Sequence, residues 1–527
     1  MDRISIKITG AQGQGVNSVG EICAKGLKRG GYCVFAYREY ASVIKGGHSS
    51  YQLDISTEFV SSSETKVNVL VCFNHYGLVK NLREVKDGGI LLHQTSEWKF
   101  AEEDQKWIDE HGVRVIYLTS EKILKEFNLK PIFGNVLITS VVWSLLSQNT
   151  NSLKELIKGQ FGHKGEEIVN KNFECIDAAT AFKKEHADAV SVELPKPDKK
   201  WSDHMLLTGS QAMGLGAIHA GCRVFTGYPM TPSSPLLSYI ADMQNRSGMV
   251  VKQAEDEITA IQMVVGAMHM GTRAMTTTSG GGYDLMTETI SLSGISETPA
   301  VVVLAQRPGP ATGLPTWTAQ GDLLLAVHAS HGEFPRLVMS VSDGEDSFTL
   351  LPEAFNYAEE YQIPVIVLTE KQTAECLYTQ ESYSQKDTEI RRGKLITDAK
   401  ELAELKGTDR YDPTVEDGVS KRWLPGAQAA TYCAQSYEHT ADGSFEEGAK
   451  GAKEQMDKRM RKVELIKKNI PEPELFTVHR GQSSEAIDQN FSGKLDLLLV
   501  GWGSTKGTVL DALTALTSDS SSLNVGY

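Results

Sequence analysis

Apolar and polar positions alternate from Ile4 to Thr9, as in a strand with one buried face, and the alternation breaks at Gly10. "GAQGQG" then leads into "VNSVGEICAKGLKRG", whose apolar residues recur at helical spacing and stop at Gly30-Gly31. "YCVFAY" is the next strand, and "VNVLVCFN", "GGILLHQ" and "VRVIYL" follow with helical stretches between them. This alternation predicts an α/β domain over residues 1–182. "KKEHADAVSVELPKPDKKW" is charged, carries prolines and has no helical stripe, which predicts a linker at 183–200.

From Trp201 a second α/β pattern begins. "GSQAMGLGAIHAG" reads as a helix of small residues, and "CRVFTGYP", "MVVKQAE", "RAMTTTS", "PAVVVLAQ" and "IPVIVLTE" as strands. Several of these are continuously apolar, as in a parallel sheet covered on both faces, which predicts a domain over 201–385. Residues 386–485 are polar and irregular, and "EEGAKGAKEQMDKRMRKVELIKK" within them reads as a charged surface or packing helix with a thin apolar stripe. "KLDLLLVGWGSTKGTVLDALTAL" is strand, glycine turn and helix, and "LNVGY" starts another strand. A lone strand–helix unit cannot bury its own sheet, so 486–527 are expected to be the start of a further α/β domain, cut short or completed by residues not given.

A chain of 527 residues has room for two to four domains. Its formal net charge of −14 argues against a nucleic-acid partner, which asks for a basic face, and against an anionic membrane surface. Cysteines at 23, 33, 72, 175, 222, 376 and 433 form no C-x-x-C pair. That odd, scattered set fits reduced thiols in a cytoplasmic protein and gives no cluster or zinc motif of the usual spacing. The opening "MDRISIKITGAQGQG" lacks the pattern of a signal peptide, and no apolar run approaches the roughly 20 residues that span a bilayer.

Gly10, Gly13 and Gly15 lie between a strand and a helix, where backbone amides can hold phosphate, and Glu39 follows near where a ribose-binding acid would sit. The spacing is G-x-x-G-x-G and not G-x-G-x-x-G, so a purely structural turn stands beside a phosphate role and a nicotinamide-dependent dehydrogenase. The second domain says more. "TGYPMTPSSP", "QAEDEITAIQMVVGAMHMG", "TTTSGGGYDLMTE" and "LAQRPGPATGLPTWTAQGDL" each begin where a strand should end. Ligands of open parallel sheets bind outside the carboxyl ends of strands, so Thr231, Glu257, Ser279–Gly282 and Arg307 should converge on one edge. Any one of them alone reads as ordinary surface: a glutamate at a helix start serves the dipole, and a triple glycine makes a loop.

These four stretches resemble the α subunit of 2-oxoacid:ferredoxin oxidoreductases, the thiamine-diphosphate enzymes of the pyruvate and 2-oxoglutarate type. Tyr228-Pro229-Met230-Thr231-Pro232 matches the family's motif, with Met230 where isoleucine is usual. The "EDE" helix start, the threonine-serine-glycine loop and "RPGPATGLPT" follow it. The N-terminal domain resembles the family's γ subunit through "GAQGQGV" and "KGGHSSYQLDIS", giving the order γ then α in one chain. "YEHTADG" and "MDKRMRKVE" extend the likeness further.

The resemblance implies a γ-type domain, a pyrimidine-type thiamine diphosphate domain and the start of a transketolase C-terminal-like domain. It implies that Tyr228, Pro229, Glu257, Ser279 and Gly280 bind the cofactor. Glu257, with Glu255 as runner-up, would assist formation of the ylid, and Thr231 and Arg307 would hold the 2-oxoacid. Prolines at 229, 232 and 235 fix φ on the first loop and remove donors, so that loop keeps its shape. The G-D-G motif for diphosphate and Mg²⁺ and the cluster cysteines are not in this sequence. In the family both belong to a β subunit, which is therefore the expected partner, carrying Mg²⁺ and a 4Fe-4S cluster, with no metal held by this chain. Coenzyme A and ferredoxin are the further reactants the family implies. The favoured substrate is 2-oxoglutarate, with pyruvate, branched-chain and aryl 2-oxoacids as alternatives.

Overall fold

In the computed structural model of the chain, which describes residues 3–43, 46–95, 98–186, 192–384, 389–478, 495–518 and 525–527, the alternating run Ile4–Thr9 lies in the middle of an eight-stranded sheet. Contacts divide the chain into two units. The first takes in Met1–Leu207, Cys376–Ser382 and Gly507–Ala515, and the second Thr208–Glu375, Tyr383–Lys506 and Leu516–Tyr527.

The strands of the first unit are β1 (Arg3–Gln12), β2 (Cys33–Tyr40), β3 (Gly46–Ser56), β4 (Val67–Cys72), β5 (Val85–His93), β6 (Arg114–Tyr117), β7 (Met205–Thr208) and β14 (Leu377–Gln380). They line up in the order β6-β5-β4-β1-β3-β2-β14-β7. β1, β4, β5 and β6 run parallel, while β3 is antiparallel to both β1 and β2. The helix Val16–Arg29 buries Val19, Ile22, Cys23 and Leu27, the three-to-four spacing read from the sequence. It starts at Gly15, whose φ of 90° and lack of Cβ are both needed: a Cβ there would stand 2.0 Å from the Asn135 amide nitrogen.

Two departures from the sequence pattern concern this unit. The helix Glu166–Glu185 runs into the expected linker, and Lys200–Asp203 forms another helical turn. The stretch is also fastened down. Tyr32 Oη donates to the Pro195 carbonyl at 3.0 Å and Trp201 Nε1 to the Thr57 carbonyl at 2.8 Å. Residues 187–191 of it lie outside the described residues, as does Lys45 at the head of "KGGHSSYQLDIS". The second departure is β14, inside the span that the pattern gives to the second domain. It belongs to the first sheet because Tyr378 packs edge-on against Phe35 at 5.5 Å and the Thr379 hydroxyl bonds both the N–H and the C=O of Val34 at 2.8 Å.

The second unit is built on β8 (Val224–Gly227), β9 (Val250–Gln253), β10 (Ala274–Thr278), β11 (Ala300–Gln306), β12 (Leu337–Ser340) and β13 (Pro364–Glu370). Their order is β12-β13-β11-β10-β8-β9, and every pair is parallel. β10, β11 and β13 are buried along their whole length, which is why β11 and β13 read as apolar runs up to their polar ends. β12 is a four-residue edge strand, half-buried throughout, and its "LVMS" was too short to register as a strand in the pattern.

The helix Ala449–Asn469 packs through charge. It buries Gln455, Lys458, Arg459, Lys462 and Ile466, where the sequence suggested a thin apolar stripe. Lys458 and Lys462 pair with the buried carboxylate of Glu297, while Arg410 donates to the carbonyls of Ser296 and Glu297 at 3.1 and 3.0 Å. Near the C-terminal end, β15 (Thr477–Val478), β16 (Leu497–Leu498) and β17 (Val525–Gly526) form a small sheet in the order β15-β17-β16. Residues 479–494 and 519–524, within the stretches expected as the connecting region and a further domain, lie outside the described residues. Among the described residues no helix is long and apolar enough to cross a membrane.

Candidate functional site

The four motif stretches follow β8, β9, β10 and β11, at the carboxyl edge of one parallel sheet. After β8 the chain leaves Tyr228 and Pro229 exposed and folds back on itself. The Met230 carbonyl accepts from Ser233 N–H at 2.8 Å, the Ser233 hydroxyl at 2.6 Å and Ser234 N–H at 3.2 Å. Pro235 then sits in the first turn of the helix Ser234–Ser247, where its missing donor costs nothing. Thr231 is half-buried, and its carbonyl accepts a hydrogen bond from Arg307 Nη1. The structure thus brings Thr231 and Arg307 together across the sheet edge.

After β9, Asp256 has extended backbone and caps the helix Glu257–His269 by accepting from Thr259 N–H at 2.7 Å. That bond holds the Asp256 carboxyl below its usual range. The cap turns Glu257, the first helical residue, inward. Glu257 is only 3% exposed and its Oε1 has no hydrogen-bond partner among the described residues, whereas Glu255 is exposed.

After β10, Ser279 stands in extended conformation at the start of the helix Gly280–Ile295. Its hydroxyl is buried and, among the described residues, neither caps the helix nor has a hydrogen-bond partner. The Glu257 carboxyl lies against this helical turn: a Cβ on Gly282 would fall 2.7 Å from Glu257 Oε1 and 2.1 Å from Thr278 Oγ1. A buried polar atom left unpaired costs about 1–3 kcal/mol. Two of them at one helix N-terminus, itself rich in donors, form a place prepared for a polar ligand. Among the described residues no hydrogen bond or ion pair joins the Glu257–Ser279 group to the Thr231–Arg307 pair.

Asp322 and Gln306 belong to the same edge and escaped the sequence reading. Gln306, the last residue of β11, is fully buried, and its Oε1 accepts from Asp322 N–H at 3.0 Å. The Asp322 carboxyl lies against Gly280, where a Cβ would stand 2.7 Å from its Oδ2. That oxygen is buried without a partner. Burial, with Asp284 adding to it and Arg307 opposing, pushes the Asp322 carboxyl up. Asp322 precedes the six-residue helix Leu323–His328, so in sequence it looks like a helix cap, but its side chain makes no capping bond.

On the helix Glu257–His269, Val264 and Met268 are buried in this unit's own core, whereas Ile258, at 47%, and Met263, at 37%, are exposed. A groove of about 660 Å³ runs along the outer faces of this helix and the next, lined by Ile258, Gln262, Leu285, Leu292, Phe334 and Arg459 among others.

The glycine stretch of the first unit closes on its own residues. Gln14 Oε1 accepts from Ala11 N–H at 2.7 Å and from Asn74 Nδ2 at 3.0 Å. Glu39 is engaged within the sheet, accepting from Ser50 Oγ at 3.2 Å and facing Lys7 at 3.9 Å. β1 lies between β3 and β4, so the first two strands are not the adjacent parallel pair that a dinucleotide fold requires. Among the described residues no group of three or more His, Cys, Asp or Glu could hold a metal ion.

Comparison with known proteins agrees with this arrangement. Residues 5–182 match the family described as pyruvate ferredoxin/flavodoxin oxidoreductase. Residues 215–455 match the one described as pyruvate flavodoxin/ferredoxin oxidoreductase, thiamine diP-bdg. The alpha subunit of 2-oxoacid:ferredoxin oxidoreductase 2 from Aeropyrum pernix is 31% identical, over 97% of this chain and 85% of its own. The 2-oxoglutarate synthase subunit KorA of Methanothermobacter thermautotrophicus is 42% identical over 32% of this chain and 44% of its own. Among solved structures, the 2-oxoglutarate:ferredoxin oxidoreductase of Magnetococcus marinus, with 2-oxoglutarate, coenzyme A and succinyl-CoA bound, superposes with a TM-score of 0.89 at 30% identity. That match covers 100% of this chain and 88% of that one.

Proposed function

Since the chain belongs to the family of 2-oxoacid:ferredoxin oxidoreductase alpha subunits, we propose that the carboxyl edge of its second sheet is its half of a thiamine diphosphate site, completed by a β-type subunit. The family oxidises and decarboxylates 2-oxoacids with ferredoxin as electron acceptor, and the chain carries its thiamine-diphosphate-binding domain. The observation that carries the assignment of residues is Glu257 Oε1, buried and unpartnered beside Gly282 and the start of a helix.

Bound thiamine diphosphate supplies a carbon nucleophile and an electron sink. Glu257 would accept or donate one proton at the aminopyrimidine, from a carboxyl that is buried and unpartnered among the described residues. Ser279 and the amides after it would offer donors and an acceptor to the bound cofactor. Arg307 presents its remaining N–H groups to the substrate carboxylate, with Nη1 held by the Thr231 carbonyl so that the fork keeps its orientation. The Thr231 hydroxyl would serve the ketone or carboxylate oxygen. Tyr228 and Pro229 form the exposed lip of the pocket.

The partner would bring Mg²⁺ and a 4Fe-4S cluster, and the enzyme would hand the acyl group to coenzyme A in the cytoplasm. The 2-oxoglutarate synthase relative and the structure with 2-oxoglutarate bound favour 2-oxoglutarate as substrate. The face offered to the partner is the groove between the two site helices, where Ile258 is 47% and Leu285 52% exposed. The reading is tested by co-expressing the chain with a β-type subunit and measuring coenzyme-A-dependent reduction of a viologen dye across a panel of 2-oxoacids. Turnover fastest with 2-oxoglutarate supports it. Turnover fastest with pyruvate keeps the class and changes the substrate. No turnover with any 2-oxoacid overturns it.

A further inference from the structure

Asp322 has no part in the scheme above, yet its carboxyl lies on the same edge. Two carboxyl groups flank one helical turn: Glu257 beside Gly282 and Asp322 beside Gly280. Gly280 makes room for Asp322, and the Asp322 N–H donates a 3.0 Å hydrogen bond to Oε1 of the fully buried Gln306, which fixes its backbone. Asp322 Oδ2 is left without a partner among the described residues, and so is the fully buried Ser279 hydroxyl next to it. Arg307 is the cation that Asp322 feels, and Asp284 the nearby anion. No ion pair within 4.0 Å joins Asp322 to Arg307 among the described residues. A direct pair would occupy the guanidinium; Asp322 instead is tied by its N–H to Gln306, the residue before Arg307, with its Oδ2 unpartnered among the described residues, so that in its ionised form it sets a negative charge on the edge where Arg307 would hold a carboxylate.

Resting on the assignment of Arg307 to the substrate carboxylate, we infer that Asp322 is a charge-setting residue: it opposes the bound carboxylate in the ground state and ceases to oppose it once that group leaves as neutral CO₂. In the decarboxylation step the bond between carboxylate and acyl carbon breaks, its electron pair stays with the acyl carbon, and the departing group loses its charge. A fixed anion beside that group raises the energy of the bound substrate and leaves the product side untouched, so part of the binding energy appears as rate. The same anion keeps Arg307 from holding every passing carboxylate tightly.

The signature is a paired change that a structural role would not give. In the complex with its β-type partner, Asp322→Asn should bind oxamate, an unreactive 2-oxoacid analogue, about three- to tenfold more tightly by calorimetry. KM for the 2-oxoacid should fall with it, and single-turnover CO₂ release should slow by about three- to tenfold. Asp322→Glu, which keeps the charge, should restore both. In the wild type the affinity for oxamate should rise as pH falls through the Asp322 titration, with Asp284, Glu257 and Arg307 the charged groups facing it, and Asp322→Asn should flatten that dependence. Unchanged or weaker oxamate binding by a folded Asp322→Asn overturns the inference. If that variant does not fold, a pH-independent oxamate affinity in the wild type does so instead. Arg307→Lys is measured alongside. If it weakens oxamate binding while Asp322→Asn changes nothing, only the role of Asp322 fails; if neither changes binding, the assignment of Arg307 fails beneath it.

Discussion

A methyl group added at Gly282 would stand 2.7 Å from the Glu257 carboxyl and 2.1 Å from the Thr278 hydroxyl. Gly282→Ala should therefore push the carboxyl out of place and lower kcat by about tenfold or more while the helix still forms, which thermal melting beside steady-state kinetics will separate. Glu257→Gln should cost about a hundredfold or more in kcat, since one group needed in the transition state is lost. Loss of C2 proton exchange in the bound thiamine diphosphate is the direct readout; exchange at the wild-type rate would move the role to another acid. Arg307→Lys keeps the charge and loses the planar fork, so kcat/KM for the 2-oxoacid should fall by about tenfold to a hundredfold with cofactor affinity little changed. Equal kinetics would make Arg307 a brace for the Thr231 loop. Of the acids in "AEDEI", the family resemblance favoured Glu257 with Glu255 as runner-up, and in the structure Glu257 is buried while Glu255 is exposed. Asp322 was not legible because its neighbour Gly280 is some forty residues earlier in the chain, and only packing puts the two together.

At the scale of elements, the helix Ala449–Asn469 carries the least expected physics. Its lysines 458 and 462 are buried against Glu297. Burial works to raise the Glu297 carboxyl, but the charges of Lys458, Lys462 and Arg410 outweigh it and hold the group well below its usual value. A depressed carboxyl contributes stability that is present above its ordinary value of 4.5 and is lost as pH falls toward the folded value. Glu297→Gln would strand two buried ammonium groups, so it should lower stability at pH 7 by about 3–5 kcal/mol. Urea titrations from pH 7 to pH 3 should show the gap between wild type and variant closing below about pH 4.5; a constant gap would mean the cluster is not ionised as drawn. Sequence patterning recovered the parallel strands β10, β11 and β13 because both their faces are covered, and all but their polar end residues, such as Gln306 and Glu370, are apolar or short. It recovered the charged helix but not how that helix packs, because a stripe of lysines looks like a solvated face until a buried carboxylate is known to lie opposite.

For the whole molecule, the expected partner sets the simplest test. Six of the seven cysteines are buried and only Cys433 is exposed. The chain purified alone should carry no stoichiometric iron and reduce no viologen with any 2-oxoacid, and both should appear on co-expression with a β-type subunit; iron or dye reduction from the lone chain would sink the two-subunit reading. The interface that forms should bury more than about 2,000 Å². The return of the chain to the first sheet at β14 was not legible, because strand pairing over such a distance leaves no local mark. Val34 and Thr379 bond each other at 2.8 Å although they are 345 residues apart in the chain. Translation proceeds at about 5–20 residues per second, so β2 leaves the ribosome about twenty seconds to about a minute before β14 exists to cover it. For that interval the nascent chain displays an open strand edge to every other polypeptide nearby, and a gene cut after residue 182 makes that exposure permanent.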